Sequence, residues 1–107
     1  MFILTNDCIS GYQIKPLELV FASIVNSKGA GKDFMSSLKN MVGGELKSYT
    51  EMITEARTIA LERLKEQAKL LGADAVISTR FTSSNIVDGT AEVTVYGTAV
   101  KLIKSAC

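Results

Sequence analysis

Apolar residues recur at helical spacing from Tyr49 to Leu71, and the rest of the chain is arranged around this stretch. At about 100° per residue, Tyr49, Ile53, Ala56, Ala60, Leu64 and Leu71 fall on one face. Met52, Ile59 and Leu70 flank that face on one side, and Leu61 and Ala68 on the other. Glu51, Thr54, Glu55, Thr58, Glu62, Lys65, Glu66 and Lys69 fill the opposite side and read as a charged solvent face. The apolar arc spans roughly half the circumference, wider than the ~100° that one buried stripe needs. Arg57, Arg63 and Gln67 lie inside it. Ser48 and Glu51 fit a capping box at the start, and Gly72 suits a left-handed stop.

Period-two and β-branched runs flank this helix. Residues 2–5 read as a short strand, and Leu17–Val25 as a strand apolar on both faces, which predicts cover on both sides, by its own chain or by a partner. The only proline, Pro16, favours extended backbone ahead of it. After the loop Asn26–Gly31, Phe34, Leu38 and Met41 space a shorter helix over Lys32–Met41, ended by Gly43-Gly44. Ala75–Thr82 and Thr90–Ile103 read as strands of a hairpin, with Asp88-Gly89 as turn residues. Gly97, in the middle of the last strand, predicts a bulge or a close backbone approach. The order β-β-α-α-β-β predicts an α+β fold, a largely antiparallel sheet with helices on one face, in a single domain over 1–107.

Composition removes function classes more readily than it adds them. A net charge of +1 argues against a dedicated nucleic-acid binder. No apolar run approaches a membrane span, and the N-terminus lacks a basic leader, so the expected location is cytoplasmic. With no histidine, every His-based triad and the commonest metal ligand are missing. Cys8 and Cys107 stand near opposite ends, without Cys-x-x-Cys spacing, and read as two unrelated thiols. The loop Lys28-Gly29-Ala30-Gly31-Lys32-Asp33 precedes a helix but lacks the P-loop spacing. No nucleophile elbow occurs, so no catalytic motif is found and no cofactor is indicated. Arg57, Arg63 and Gln67 need partners within an apolar surface. Asp33, Glu45, Asp74 and Glu92 are the acids available for intrachain or intersubunit ion pairs with the two arginines.

One ordered set of motifs carries further information. Gly11-Tyr12-Gln13-Ile14 and Gly31-Lys32-Asp33 are followed by Val42-Gly43-Gly44-Glu45-Leu46-Lys47-Ser48-Tyr49-Thr50-Glu51. Glu55-Ala56-Arg57, Ala60-Leu61-Glu62-Arg63, Leu71-Gly72-Ala73-Asp74-Ala75-Val76 and Tyr96-Gly97-Thr98-Ala99-Val100 complete the set. Together they resemble the YbjQ-like family of small bacterial proteins, over about residues 2–103. The resemblance implies a compact subunit of a homo-oligomeric ring, a pentamer, related in shape to dodecin-like subunits. It implies no established activity, and its alternative reading is heavy-metal binding. Glu45, Tyr49 and Arg57 match polar positions of the family motif and are the candidate ligand-binding residues. The expected partner is the chain itself, with a small ligand held at subunit boundaries.

Overall fold

The computed structural model describes residues 1–27, 44–84 and 90–105, with the backbone alone for 26, 27, 44–49, 90 and 91. The shorter helix expected over Lys32–Met41, the glycine loop before it, the Asp88-Gly89 turn and Cys107 lie outside the described residues. Within them the order is β1 (Phe2–Ile3), β2 (Tyr12–Ser27), α1 (Gly44–Leu70), β3 (Ala75–Ser84) and β4 (Thr90–Lys104). The fold is α+β, with α1 on one face of a four-stranded mixed sheet ordered β1-β3-β4-β2. The antiparallel pairs β3–β4 and β2–β4 dominate, and the short β1 joins β3 in parallel.

The long helix starts earlier than its sequence signal. Gly44 is already helical, so Ser48 stands inside the helix and the Ser48–Glu51 pair is not a cap. Glu45, Leu46 and Lys47 are good helix formers, and they carry the helix back beyond the polar pair. The far end follows the expectation. Gly72 has φ +75°, its N–H donates to Lys69 C=O, and the Ala73 N–H donates to Ala68 C=O. These two bonds form a Schellman stop and turn the chain directly into β3.

One core cluster lies between α1 and the sheet. Met52, Ala56, Ala60, Leu64 and Ala68, four residues apart, form the buried stripe of the helix. Three of the five are alanine, which lets the helix lie close to Val20, Ala22 and Ile24 of β2 and Val93, Val95 and Ala99 of β4. A second cluster on the opposite face joins Ala75, Ile77 and Val100 to Ile9, Ile14 and Leu102. The chain around Ile9 thus covers one end of that face.

Among the described residues, the rest of that face is bare. Leu19 and Val25 are each 60% exposed and Phe21 57%, and Tyr96, paired with Phe21, is also exposed. Of this stretch, Val20, Ala22 and Ile24 are buried in the chain itself, so among the described residues the second side, expected to be covered by the chain or by a partner, has no cover from the chain. The β2–β4 ribbon also sets the molecule's shape. Sixteen residues at about 3.4 Å each make roughly 54 Å, close to the longest extent of 60 Å.

Gly97 shows the close approach its position predicts. It sits opposite two residues of β3, Ser78 and Thr79, where the register shifts between Ile77 and Arg80. Ser78 adopts φ 52°, the left-handed region, to make this bulge. The bulge amides are satisfied across the sheet: Ser78 N–H donates to Asn6 C=O and Thr79 N–H to Leu4 C=O.

Candidate functional site

Three features of α1 and the sheet could carry function: the polar positions of the helix, its contact with the sheet edge, and a cleft beside β1. Positions 45, 49 and 57 lie on one continuous helix. Their spacing places them within a sector of about 120°, along about 18 Å of helix. Arg57 is exposed. Glu45 and Tyr49 are placed by backbone only, so the structure brings the three to one side of one helix and goes no further.

The polar residues in the apolar arc resolve differently from one another. Arg57 and Arg63 are exposed, and neither has a carboxylate partner among the described residues, where the ion pair present is Lys65–Glu62 at 3.7 Å. The acids Asp74 and Glu92 are engaged elsewhere. Asp74 Oδ2 accepts from Leu102 N–H at 2.8 Å, and Glu92 Oε1 accepts from the Thr94 hydroxyl. Leu70, at the end of the same arc, is 88% exposed. The arc is therefore not fully covered by the described residues of its own chain.

Gln67 has a defined task. Its Oε1 accepts from Phe21 N–H at 3.2 Å and its Nε2 donates to Phe21 C=O. Among the described residues β2 has a sheet neighbour on one side only, so these are the outward-facing groups of an edge strand. One side-chain amide thus stands in for a residue of a missing neighbouring strand. Position 67 was already anomalous in the sequence as an amide in an apolar arc, but its target lies 46 residues away and leaves no local signal. Gln67→Ala should destabilise the fold by about 1–2 kcal/mol through two lost hydrogen bonds. Hydrogen exchange at the Phe21 amide should accelerate selectively; unchanged exchange there would show that the clamp does not hold in solution.

The cleft lies between α1 and the β1–β3 edge, with a volume of about 560 Å³. Ile3, Leu4, Leu61 and Phe81 supply apolar walls, and Thr79, Arg80, Lys65 and Glu62 supply polar ones. Arg80 Nη1 donates to Thr5 C=O at 3.2 Å and to Thr79 C=O at 2.9 Å. Thr79 is 4% exposed and its hydroxyl has no hydrogen-bond partner. No local sequence signal points to this cleft, because its walls come from the N-terminus, α1 and β3.

These features define a small α+β domain in which, among the described residues, the helix covers one sheet face and most of the other is apolar and open. The chain belongs to the YbjQ family: the model of that family, described as "Putative heavy-metal-binding", matches residues 1–103. It is 55% identical to a UPF0145 protein of Clostridium novyi, over 96% of this chain and 100% of that protein. A UPF0145 protein of Vibrio parahaemolyticus is 50% identical, over 97% of this chain and 100% of its own length. Among solved structures, a DUF74 protein of unknown function from Pediococcus pentosaceus matches with a TM-score of 0.61. That match covers 96% of this chain and 98% of the other at 24% identity, and it shows a shared fold.

The donor set can be tested against the family description. Among the described residues, no three Cys, Asp or Glu side chains come together, and the chain has no histidine. Cys8 is an exposed free thiol. The described residues of one chain therefore do not fit a heavy-metal site, which takes several soft or charged ligands converging on one point. No helix of the described residues is long and apolar enough to cross a membrane.

Proposed function

We propose that this chain is a non-catalytic subunit of a homo-oligomeric ring, a pentamer, that holds a small ligand at its subunit boundaries. The observation that carries this reading is the bare sheet face, where Leu19, Phe21, Val25 and Tyr96 stand exposed side by side on two paired strands. A contiguous apolar patch of this kind favours a protein partner over water, and closed symmetric assembly of identical chains is the commonest way to bury one. Arg57 and Arg63, without carboxylate partners among the described residues, are available to a neighbour.

Glu45, Tyr49 and Arg57 remain the ligand-binding candidates. A spread of about 18 Å along one helix is longer than one small ligand bridges. They act on a common ligand only where two subunits bring their helices together. Boundaries of this kind are where small-molecule sites often form.

Sedimentation velocity at micromolar concentration tests the assembly. The expected mass is about five times the 11.5 kDa of the chain; a single 11.5 kDa species would overturn the proposal. Phe21→Asp should weaken the assembly by about 2–3 kcal/mol, because it forces a carboxylate into a desolvated contact. Far-UV circular dichroism should stay unchanged, since the Phe21 side chain lies outside the core of its own chain. Metal content of untagged protein provides the independent check on the family description: a stoichiometric heavy metal would favour that alternative over a metal-free ring.

A further inference from the structure

We infer that two different surfaces of this chain meet between copies: the leucine ridge beside the β2 edge of one copy seats in the cleft at the β1–β3 edge of the next. The inference rests on the proposed ring and names the contact that closes it. A two-fold contact uses the same patch on both copies and stops at a pair, so a ring of five needs two distinct, complementary patches. The bare sheet face cannot close such a ring by meeting itself.

The described surface supplies both patches, at opposite ends of the strand order β1-β3-β4-β2. At the β2 edge, Leu70 and Leu71 from the end of α1 adjoin Leu19, with Glu18 and Gln67 around them. Leu70 projects into solvent, 88% exposed. Through Leu19, which shares a strand face with Phe21, this ridge runs on into the bare face. At the β1–β3 edge, Ile3, Leu4, Leu61 and Phe81 wall the cleft of about 560 Å³. Phe81 remains 42% exposed although it pairs with Val95 on the helix side of the sheet. A projecting leucine and an apolar hollow fit each other in shape, and joining them removes both from water.

The helix presents the two patches on opposite sides. Arg63, Gln67 and Leu70 recur at i, i+4 and i+7 and share the side that reaches over β2, where Gln67 holds Phe21. Thr58, Leu61, Glu62 and Lys65 share the side that lines the cleft. Charge divides in the same way. Arg63, on the ridge side, has no carboxylate partner among the described residues. Beside the cleft, the exposed acids Glu51, Glu55 and Glu62 form one stripe, four and seven residues apart. Within that stripe Glu62 meets Lys65 at 3.7 Å, an exposed i,i+3 pair of little energy. The stripe is thus the counterpart that Arg63 lacks, and Glu18 of the ridge offers the same to Lys65. Leu70 lies outside the core clusters of its own chain, so its loss acts on the association of copies and not on the folding of one.

Site-directed crosslinking tests the contact, in a chain whose own thiols are removed by Cys8→Ser and Cys107→Ser. Leu70→Cys and Phe81→Cys together, treated with a short bis-maleimide, should give a ladder on a denaturing gel that ends at the closed ring. Either change alone should leave single chains. Arg63→Glu should weaken association at least about tenfold by setting a carboxylate against the acidic stripe; an unchanged association constant would overturn the charge pairing. Crosslinks from Leu70→Cys alone would mean that like patches meet and would overturn the inference. An assembled protein, by sedimentation velocity, that yields no ladder would overturn this contact and leave the ring standing. A ladder closing at another number would refute the pentamer and leave the contact standing, and a monomer would refute both.

Discussion

Gly97→Val is expected to cost about 3–4 kcal/mol of stability, the larger of the two principal effects. A Cβ at this position would stand 2.7 Å from Val76 Cγ1 and 3.0 Å from both the Ile77 carbonyl oxygen and Thr79 Oγ1. None of the three can retreat cheaply. Val76 is fully buried against the helix, and the Ile77 carbonyl belongs to the strand beside the bulge. The γ-methyls of valine add volume to a space that already rejects one carbon. Urea unfolding gives the measurement, with a lower midpoint and an unchanged slope expected. A loss under 1 kcal/mol would mean that the β3 bulge relaxes around position 97.

Leu64→Ala should cost about 3 kcal/mol, within the range for leucines removed from a closed core. Leu64 is the largest fully buried side chain among the described residues and stands in a stripe otherwise built mainly of alanine. Alanines cannot move in to fill the gap, so the cavity persists and its cost adds to the lost burial. Leu70→Ala is the matched control. It removes the same atoms from the same helix at a site 88% exposed, and should change stability by less than about 0.5 kcal/mol. If the two variants unfold together, the burial stripe has been assigned to the wrong side of α1.

Local rules were read well from the sequence because their physics is local. The Gly72 stop, the turn into β3, the β3–β4 pairing and the tight contact at Gly97 all follow from residues close to one another or from the demands of a single glycine. Questions of cover were harder. Leu19, Phe21 and Val25 have the same apolar character as Val20, Ala22 and Ile24, and only the position of α1 decides which set is buried in its own chain. The start of the helix was misplaced because a plausible polar cap at Ser48 competed with three good helix formers before it. β1 was expected, but a two-residue strand carries no signal for its parallel partner, 73 residues on. For the candidate sites, helical spacing alone aligned positions 45, 49 and 57. The cleft and the Gln67 contact needed the fold, since each joins segments far apart in the chain.

The amide of Gln67 also constrains how identical chains can associate. Strand-to-strand stacking along the outer edge of β2 would need the N–H and C=O of Phe21, and both are taken by the chain's own helix. A second copy can claim those groups only by displacing the Gln67 amide from them. Edge-to-edge growth is the open-ended mode of β-sheet association, the one that leads toward fibres. By occupying the edge near the middle of β2, the helix disfavours that route, and in the proposed assembly it leaves the exposed apolar face for copies to meet through, a mode of association that can close on itself and stop.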